Sequence, residues 1–116
     1  CVMDPWYGMG GGDMLELAHM VLHVAQMTSQ AGIHQCFDAV TANAAKVMHL
    51  QGYGLEPGCD ASFVLLRSRD PVEAIRLRAT RLKVWRKGQL LAETPAATAR
   101  LLVDGRAGAT SFMPNR

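Results

Sequence analysis

Cysteine is scarce in this 116-residue chain: Cys1, Cys36 and Cys59 are its three, and they lie far apart. Such spacing fits neither a disulfide framework nor the paired ligands of a structural zinc site, and it points to a reducing, cytoplasmic home. Long apolar runs are also missing. His, Gln, Asp or Arg interrupts every hydrophobic stretch, and none approaches the roughly 18 to 20 residues that cross a bilayer, so no membrane partner is expected. Positive charge is nearly absent from residues 1–60, where Lys46 faces six acids, although the whole chain holds 12 Lys and Arg against 10 acids. The basic remainder lies in residues 61–116, scattered through strand-like and helix-like patterns without interleaved aromatics. That arrangement reads as a solvated face, and no nucleic-acid partner is expected. The opening Cys1 to Trp6 has neither the basic start nor the apolar core of a signal peptide, and with Cys at position 1 the natural protein is expected to begin further upstream. What is present is 49% hydrophobic content, enough at this length for one packed domain.

Residues 1–12 read as a loop, because Asp4-Pro5 and Gly10-Gly11-Gly12 resist regular structure. Asp13, with Glu16 three residues on, predicts a helix start, and Met14, Leu17, Val21, Val24 and Met27 recur near a 3.6-residue period to about Ser29. Ala18, Met20, Leu22 and Ala25 make the opposite side apolar too, so this helix expects neighbours on more than one side. Gly32 predicts a break, followed by a second helical stretch with Ile33, Cys36, Phe37, Val40, Ala44 and Val47 on one stripe. Thr41 is placed to cap a separate short helix within it. Gly52, Gly54, Pro57 and Gly58 mark turns before Ala61 to Leu66, an apolar run of strand length. Asp70, Pro71 and Glu73 predict a short helix to about Arg78. Alternation over residues 81–87, Gly88, and residues 89–93 predict a hairpin. Residues 99–103 suggest one more strand, and the tail from Gly105 reads as loose.

Few side chains have an arrangement that implies chemistry. His19 and His23 are four apart, the spacing at which two imidazoles share a metal on one helical face. A zinc-protease motif needs Glu beside the first His, whereas Met20 follows His19, so packed structural histidines are the better expectation and no metal ligand is assigned. His34 and His49 read as capping or surface residues. Cys1 and Cys36 lack a neighbouring base to make a thiolate nucleophile. The glycine run has no following Lys-Ser/Thr pair and no preceding strand, against a phosphate cradle. Trp6 and Tyr7, in a loop bounded by Pro5 and Gly8, suit stacking on a flat ligand as well as burial as a loop anchor.

Two blocks carry a family resemblance. Thr41-Ala42-Asn43-Ala44-Ala45-Lys46-Val47-Met48-His49-Leu50, then Gly54 to Leu66, resembles the C-terminal signature of metal-dependent amidohydrolases, and Val84 to Leu91 resembles the hairpin that follows it. More narrowly, Val2-Met3-Asp4-Pro5-Trp6-Tyr7 with Met14 to Met27 is similar to bacterial cytosine deaminases after the eighth barrel strand. The resemblance covers roughly residues 1–93.

The fold implied is α/β: the C-terminal part of a (β/α)8 amidohydrolase barrel, represented by helices, followed by strands of a small β-sandwich domain. Residues 1–50 would supply the last barrel loop and outer helices, 51–104 a sandwich portion with a short helix, and 105–116 a tail. The activity implied is hydrolytic deamination of cytosine to uracil and ammonia with one divalent metal, iron or zinc, in the intact protein. In this family a metal-binding Asp falls just before Cys1, and the His ligands and the proton-shuttling Glu lie further upstream. No catalytic or metal residue is therefore expected in this chain, and the fragment alone is expected to be inactive. Trp6 resembles the loop Trp at the base pocket, Asp4 belongs to the same loop, and Cys1 stands where other members often carry Asp. The partners implied are a nucleobase, the N-terminal part of the barrel and other copies in a homo-oligomer. Two further readings remain open: a sister amidohydrolase deaminating isoguanine or a triazine, and a non-catalytic interaction module.

Overall fold

Asp13 starts the first helix as its sequence context predicts. In the computed structural model of the chain, which describes residues 8–95, 97 and 102, Asp13 is extended. Its carboxylate accepts from the backbone N–H groups of Leu15 and Glu16 at 2.8 and 3.3 Å. Two of the free donors at the start of α1 (Met14–Val24) are thereby satisfied.

The helix stops at Val24 rather than at Ser29. Gln26 adopts a left-handed conformation (φ 54°), and the amides of Gln26 and Met27 donate back to the carbonyls of His23 and Leu22 at 3.2 and 2.9 Å. A left-handed residue with a side chain costs on the order of 1 kcal/mol. The reversal offsets this by folding Met27 onto the core, where its sulfur lies 3.9 Å from that of Cys36. Helix periodicity carries no sign of such an ending, because the residue that takes it is not a glycine.

Helix α2 (Gln30–Ala39) begins at once, its N-cap Ser29 accepting from the Gly32 amide at 3.1 Å. Gly32 is thus not a break but a buried residue of the first turn. Thr41 separates α2 from the short α3 (Ala42–Val47), as expected, yet it makes no side-chain cap: its hydroxyl donates to the Phe37 carbonyl at 2.7 Å.

Beyond the turns, β1 (Phe63–Leu66) is shorter than the predicted strand. Helix α4 (Pro71–Leu77) has the predicted start, with the Asp70 carboxylate accepting from the Glu73 amide at 2.8 Å. Strands β2 (Arg81–Arg86) and β3 (Gln89–Glu93) form the expected hairpin about Lys87 and Gly88, whose φ values of 49° and 79° match the two-residue turn that follows strand twist. The three strands make one antiparallel sheet in the order β1-β2-β3. The strand suggested for residues 99–103 lies, apart from Leu102, outside the described residues.

The core gathers Leu15, Ala18 and Leu22 of α1, Cys36 of α2 and Ile75 of α4, with Ile33, Phe37, Val40 and Leu66 packed against it. For α2 this is the first part of the predicted stripe; its last member, Val47, lies on α3 and is exposed. For α1 it is Ala18 and Leu22 of the other side together with Leu15: Met14, Val21 and Val24 are exposed, as are Met20 and Ala25. A helix apolar on both sides does not reveal by its periodicity which side its neighbours take. Glu73 is a buried charge in this region. It accepts from the Arg69 backbone amide at 2.9 Å and from the Arg69 guanidinium at 3.1 and 3.3 Å, and these hydrogen bonds hold its carboxyl below the usual carboxylate range.

Candidate functional site

Where the helices meet the sheet, a cleft of about 710 Å³ opens. Met14 of α1, Phe37 of α2 and Val40 just after it form one wall; Phe63 of β1 and Trp85 of β2 form the other, and Tyr53 and Leu55 close it from the turn region. Antiparallel register sets Phe63 opposite Trp85. Their rings lie 4.7 Å apart with a 32° tilt, a stacked aromatic floor. The walls are mostly apolar, with Thr41, Glu56, Ser62 and Arg81 as polar groups on the lining. Such a surface suits an apolar or flat partner.

Arg81 is engaged across the cleft. Its guanidinium donates to both carboxylate oxygens of Asp13, at 2.9 and 2.5 Å, so one carboxylate both caps α1 and ties it to β2. The Arg81 hydrogen bond is the main cause that lowers the Asp13 pKa from 3.8 to about 2, assisted by the amides of Leu15 and Glu16 and opposed by burial. Arg81 is shifted the other way, to a still higher pKa.

Because the folded-state pKa of Asp13 is depressed, the pair stabilises the fold fully above pH of about 4, and that contribution is lost as pH falls from about 4 to about 2. With the two side chains 29% and 38% exposed, solvent screening leaves about 1 kcal/mol. Urea unfolding of the chain and of Arg81→Met should therefore differ by about 1 kcal/mol at pH 6 and converge as pH approaches 2. A difference that does not change with pH would show that the pair contributes nothing to folding.

Cys1, Asp4 and Trp6, the substrate-loop candidates, lie outside the described residues. The described chain resumes at Gly8, five residues before the Asp13 clamp. His19 and His23 do meet, with ring centroids 4.7 Å apart. Burial first, then the charges of His23 and Arg78, push the His19 pKa down. His34 is exposed on α2, and His49 takes a left-handed conformation (φ 52°) just after α3, a helix-end position as predicted. Cys36 is a buried free thiol. Among the described residues, no three or more His, Cys, Asp or Glu side chains are grouped to hold a metal ion. The Asp13–Arg81 pair and the Phe63–Trp85 stack were not foreseen. Asp13 reads locally as a cap and Arg81 as one residue of a hairpin, and 68 positions separate them.

A model of the amidohydrolase family matches residues 1–92. The chain is 27% identical over 99 residues to N-isopropylammelide isopropyl amidohydrolase of Pseudomonas sp. (strain ADP), a match covering 84% of this chain and 25% of that protein. It is similar to the crystal structure of 5-methylcytosine deaminase from Klebsiella pneumoniae liganded with 5-fluorocytosine, at a TM-score of 0.81 and 31% identity over 86% of this chain and 24% of that one. It is also similar to N-isopropylammelide isopropylaminohydrolase from Burkholderia multivorans ATCC 17616, at a TM-score of 0.74 and 30% identity over 79% of this chain and 24% of that one. The chain thus spans about a quarter of the length of these relatives.

Proposed function

Because this chain belongs to the amidohydrolase family, we propose that it is the C-terminal part of a barrel enzyme that hydrolytically deaminates cytosine. In this reading residues 1–50 supply the last loop and outer helices of a (β/α)8 barrel, residues 51–104 a share of a small β-sandwich, and residues 105–116 a tail. The cleft is where the two parts join, and the Asp13–Arg81 pair holds them in register. The likeness to a deaminase that holds 5-fluorocytosine is the observation that most favours cytosine.

The reaction adds water at C4 of the ring and expels the exocyclic amine as ammonia, leaving uracil. Amidohydrolases are generally metal-dependent, but among the described residues no three or more His, Cys, Asp or Glu side chains are grouped as a catalytic metal centre requires. A divalent iron or zinc ion would need ligands from elsewhere in the intact enzyme, and this chain's share of the work is substrate contact. Trp6, in its Pro- and Gly-bounded loop, would stack on the face of the base, and Asp4 would accept a hydrogen bond from a ring or amine N–H. Cys1, where relatives often carry Asp, would bear on which ring is preferred. A cytoplasmic homo-oligomer is part of the same proposal; among the described residues no helix is long and apolar enough to cross a membrane.

The first test is a denaturing intact mass of the purified material, followed by a cytosine deamination assay. A mass well above 12.6 kDa, or a second polypeptide, with ammonia released from cytosine supports the reading. Material that carries the upstream part and releases no amine from any amino-substituted ring would defeat it. In an active preparation, Trp6→Ala should raise KM for cytosine about ten-fold, the equivalent of about 1.4 kcal/mol of stacking, with a smaller change in kcat. An unchanged KM would remove Trp6 from the pocket.

A triazine is the second reading, favoured by the two ammelide-hydrolysing relatives. It would show as release of isopropylamine from an isopropylamino-triazine, with cytosine left intact.

A further inference from the structure

Two imidazoles stand on one turn of α1 outside everything proposed above. The ring centroids of His19 and His23 are 4.7 Å apart and the rings are inclined at 67°. Two imidazoles that share one Zn²⁺ at about 2.0–2.1 Å per Zn–N bond have centroids about 5 Å apart, close to the spacing of this edge-on pair. Both residues lie within the α-helix, where positions four apart share a face, and the backbone therefore presets the pair. The terminal torsion of histidine is broad, so a rotation there turns one nitrogen of each ring to a common point. His23 is exposed and His19 half-buried, which leaves an ion free to enter from water.

We infer that His19 and His23 form a two-imidazole site for a borderline transition-metal ion, such as Ni²⁺ or Zn²⁺, with water completing the coordination. Nitrogen donors select this class over Mg²⁺ or Ca²⁺, which take oxygen ligands. Arg78 opposes a cation from α4 and limits the affinity. Glu16, one turn earlier, is turned toward Gly11, with its Oε2 3.2 Å from where a Cβ there would sit, and it does not act as a third protein ligand.

Titrating the chain with Ni²⁺ alone, by calorimetry and by NMR of the histidine rings, tests the site. One Ni²⁺ per chain should bind with a dissociation constant on the order of micromolar, broadening the His19 and His23 ring signals first. His23→Gln, at an exposed position that the fold tolerates, should weaken this step at least ten-fold, as should His19→Gln, while His34→Gln on α2 leaves it unchanged. Reading the difference between the natural chain and His23→Gln isolates this site from any other metal the protein holds. No difference between them, or an equal loss in His34→Gln, would overturn the assignment.

Discussion

Replacing Ile75 by alanine is expected to lower the unfolding free energy by about 2–5 kcal/mol, the usual range when a fully buried aliphatic side chain is cut back to its Cβ. Ile75 is 1% exposed and is the largest fully buried side chain among the described residues. It is the contribution of α4 to a cluster otherwise made by Leu15, Ala18, Leu22 and Cys36 of α1 and α2. Its neighbours cannot collapse easily into the gap, because Glu73 on the same helix is held by Arg69 and the α4 backbone is fixed by the Asp70 cap. Leu77, on the same helix but 41% exposed, is the control: Leu77→Ala should cost well under half as much. Urea unfolding followed by far-ultraviolet circular dichroism, with the slope unchanged, measures both. A loss below about 1 kcal/mol for Ile75→Ala would mean that α4 does not close this core in solution.

Gly32→Ala should be destabilising by about 1–3 kcal/mol, opposite in sign to the ordinary gain of about 0.5–1 kcal/mol when a helical glycine becomes alanine. A Cβ on Gly32 would lie 2.6 Å from the Met27 carbonyl oxygen, 2.9 Å from its carbonyl carbon and 3.1 Å from its Cα. All three are backbone atoms, so the contact is not relieved by turning a side chain. Relief would require α2 to draw away from the chain reversal after α1, and the same reversal seats Met27 on the core. Gly8, where an added Cβ would meet nothing within 4 Å, supplies the comparison, and Gly8→Ala should change stability little. Thermal and urea midpoints of the two variants decide the matter. A Gly32→Ala chain as stable as the original would mean that α2 lies less close to the reversal at Met27 than the 2.6 Å approach requires.

The parts of the fold that were legible are those written within a few residues. Asp70, Pro71 and Glu73 specify the start of α4, because a carboxylate reaches only the amides of the next turn and proline favours the first helical position. Asp13 announces α1 in the same way, and alternation around Gly88 announces the hairpin. Thr41 was placed rightly between two helices but for a different bond, since its hydroxyl donates to the preceding turn and leaves the following one uncapped. The ending of α1 was missed because Gln26, not a glycine, takes the left-handed turn, and its motive is the burial of Met27. Gly32 was misread as a break, since a glycine needed for close approach looks in sequence like one that ends a helix.

For the candidate site the division is similar. The two motif blocks pointed to the amidohydrolase family, which the match over residues 1–92 bears out, because a run of residue types over tens of positions is itself a record of the fold. The cleft and its clamp left no such record. Arg81 meets Asp13 across 68 positions, and Trp85 meets Phe63 only through strand register, so neither pairing has a local signature.

By itself, then, the sequence determined the Asp13 and Asp70 caps, the hairpin turn, the core-facing residues of α2 and the family, because each depends on interactions that span a turn or on a continuous pattern. Tertiary structure alone decided which apolar side of α1 is buried, why Gly32 must remain without a side chain, and that one carboxylate both starts a helix and binds a strand. Those outcomes depend on which surfaces meet after the chain has folded back on itself, and burial, close approach and ion pairing are properties of both partners together.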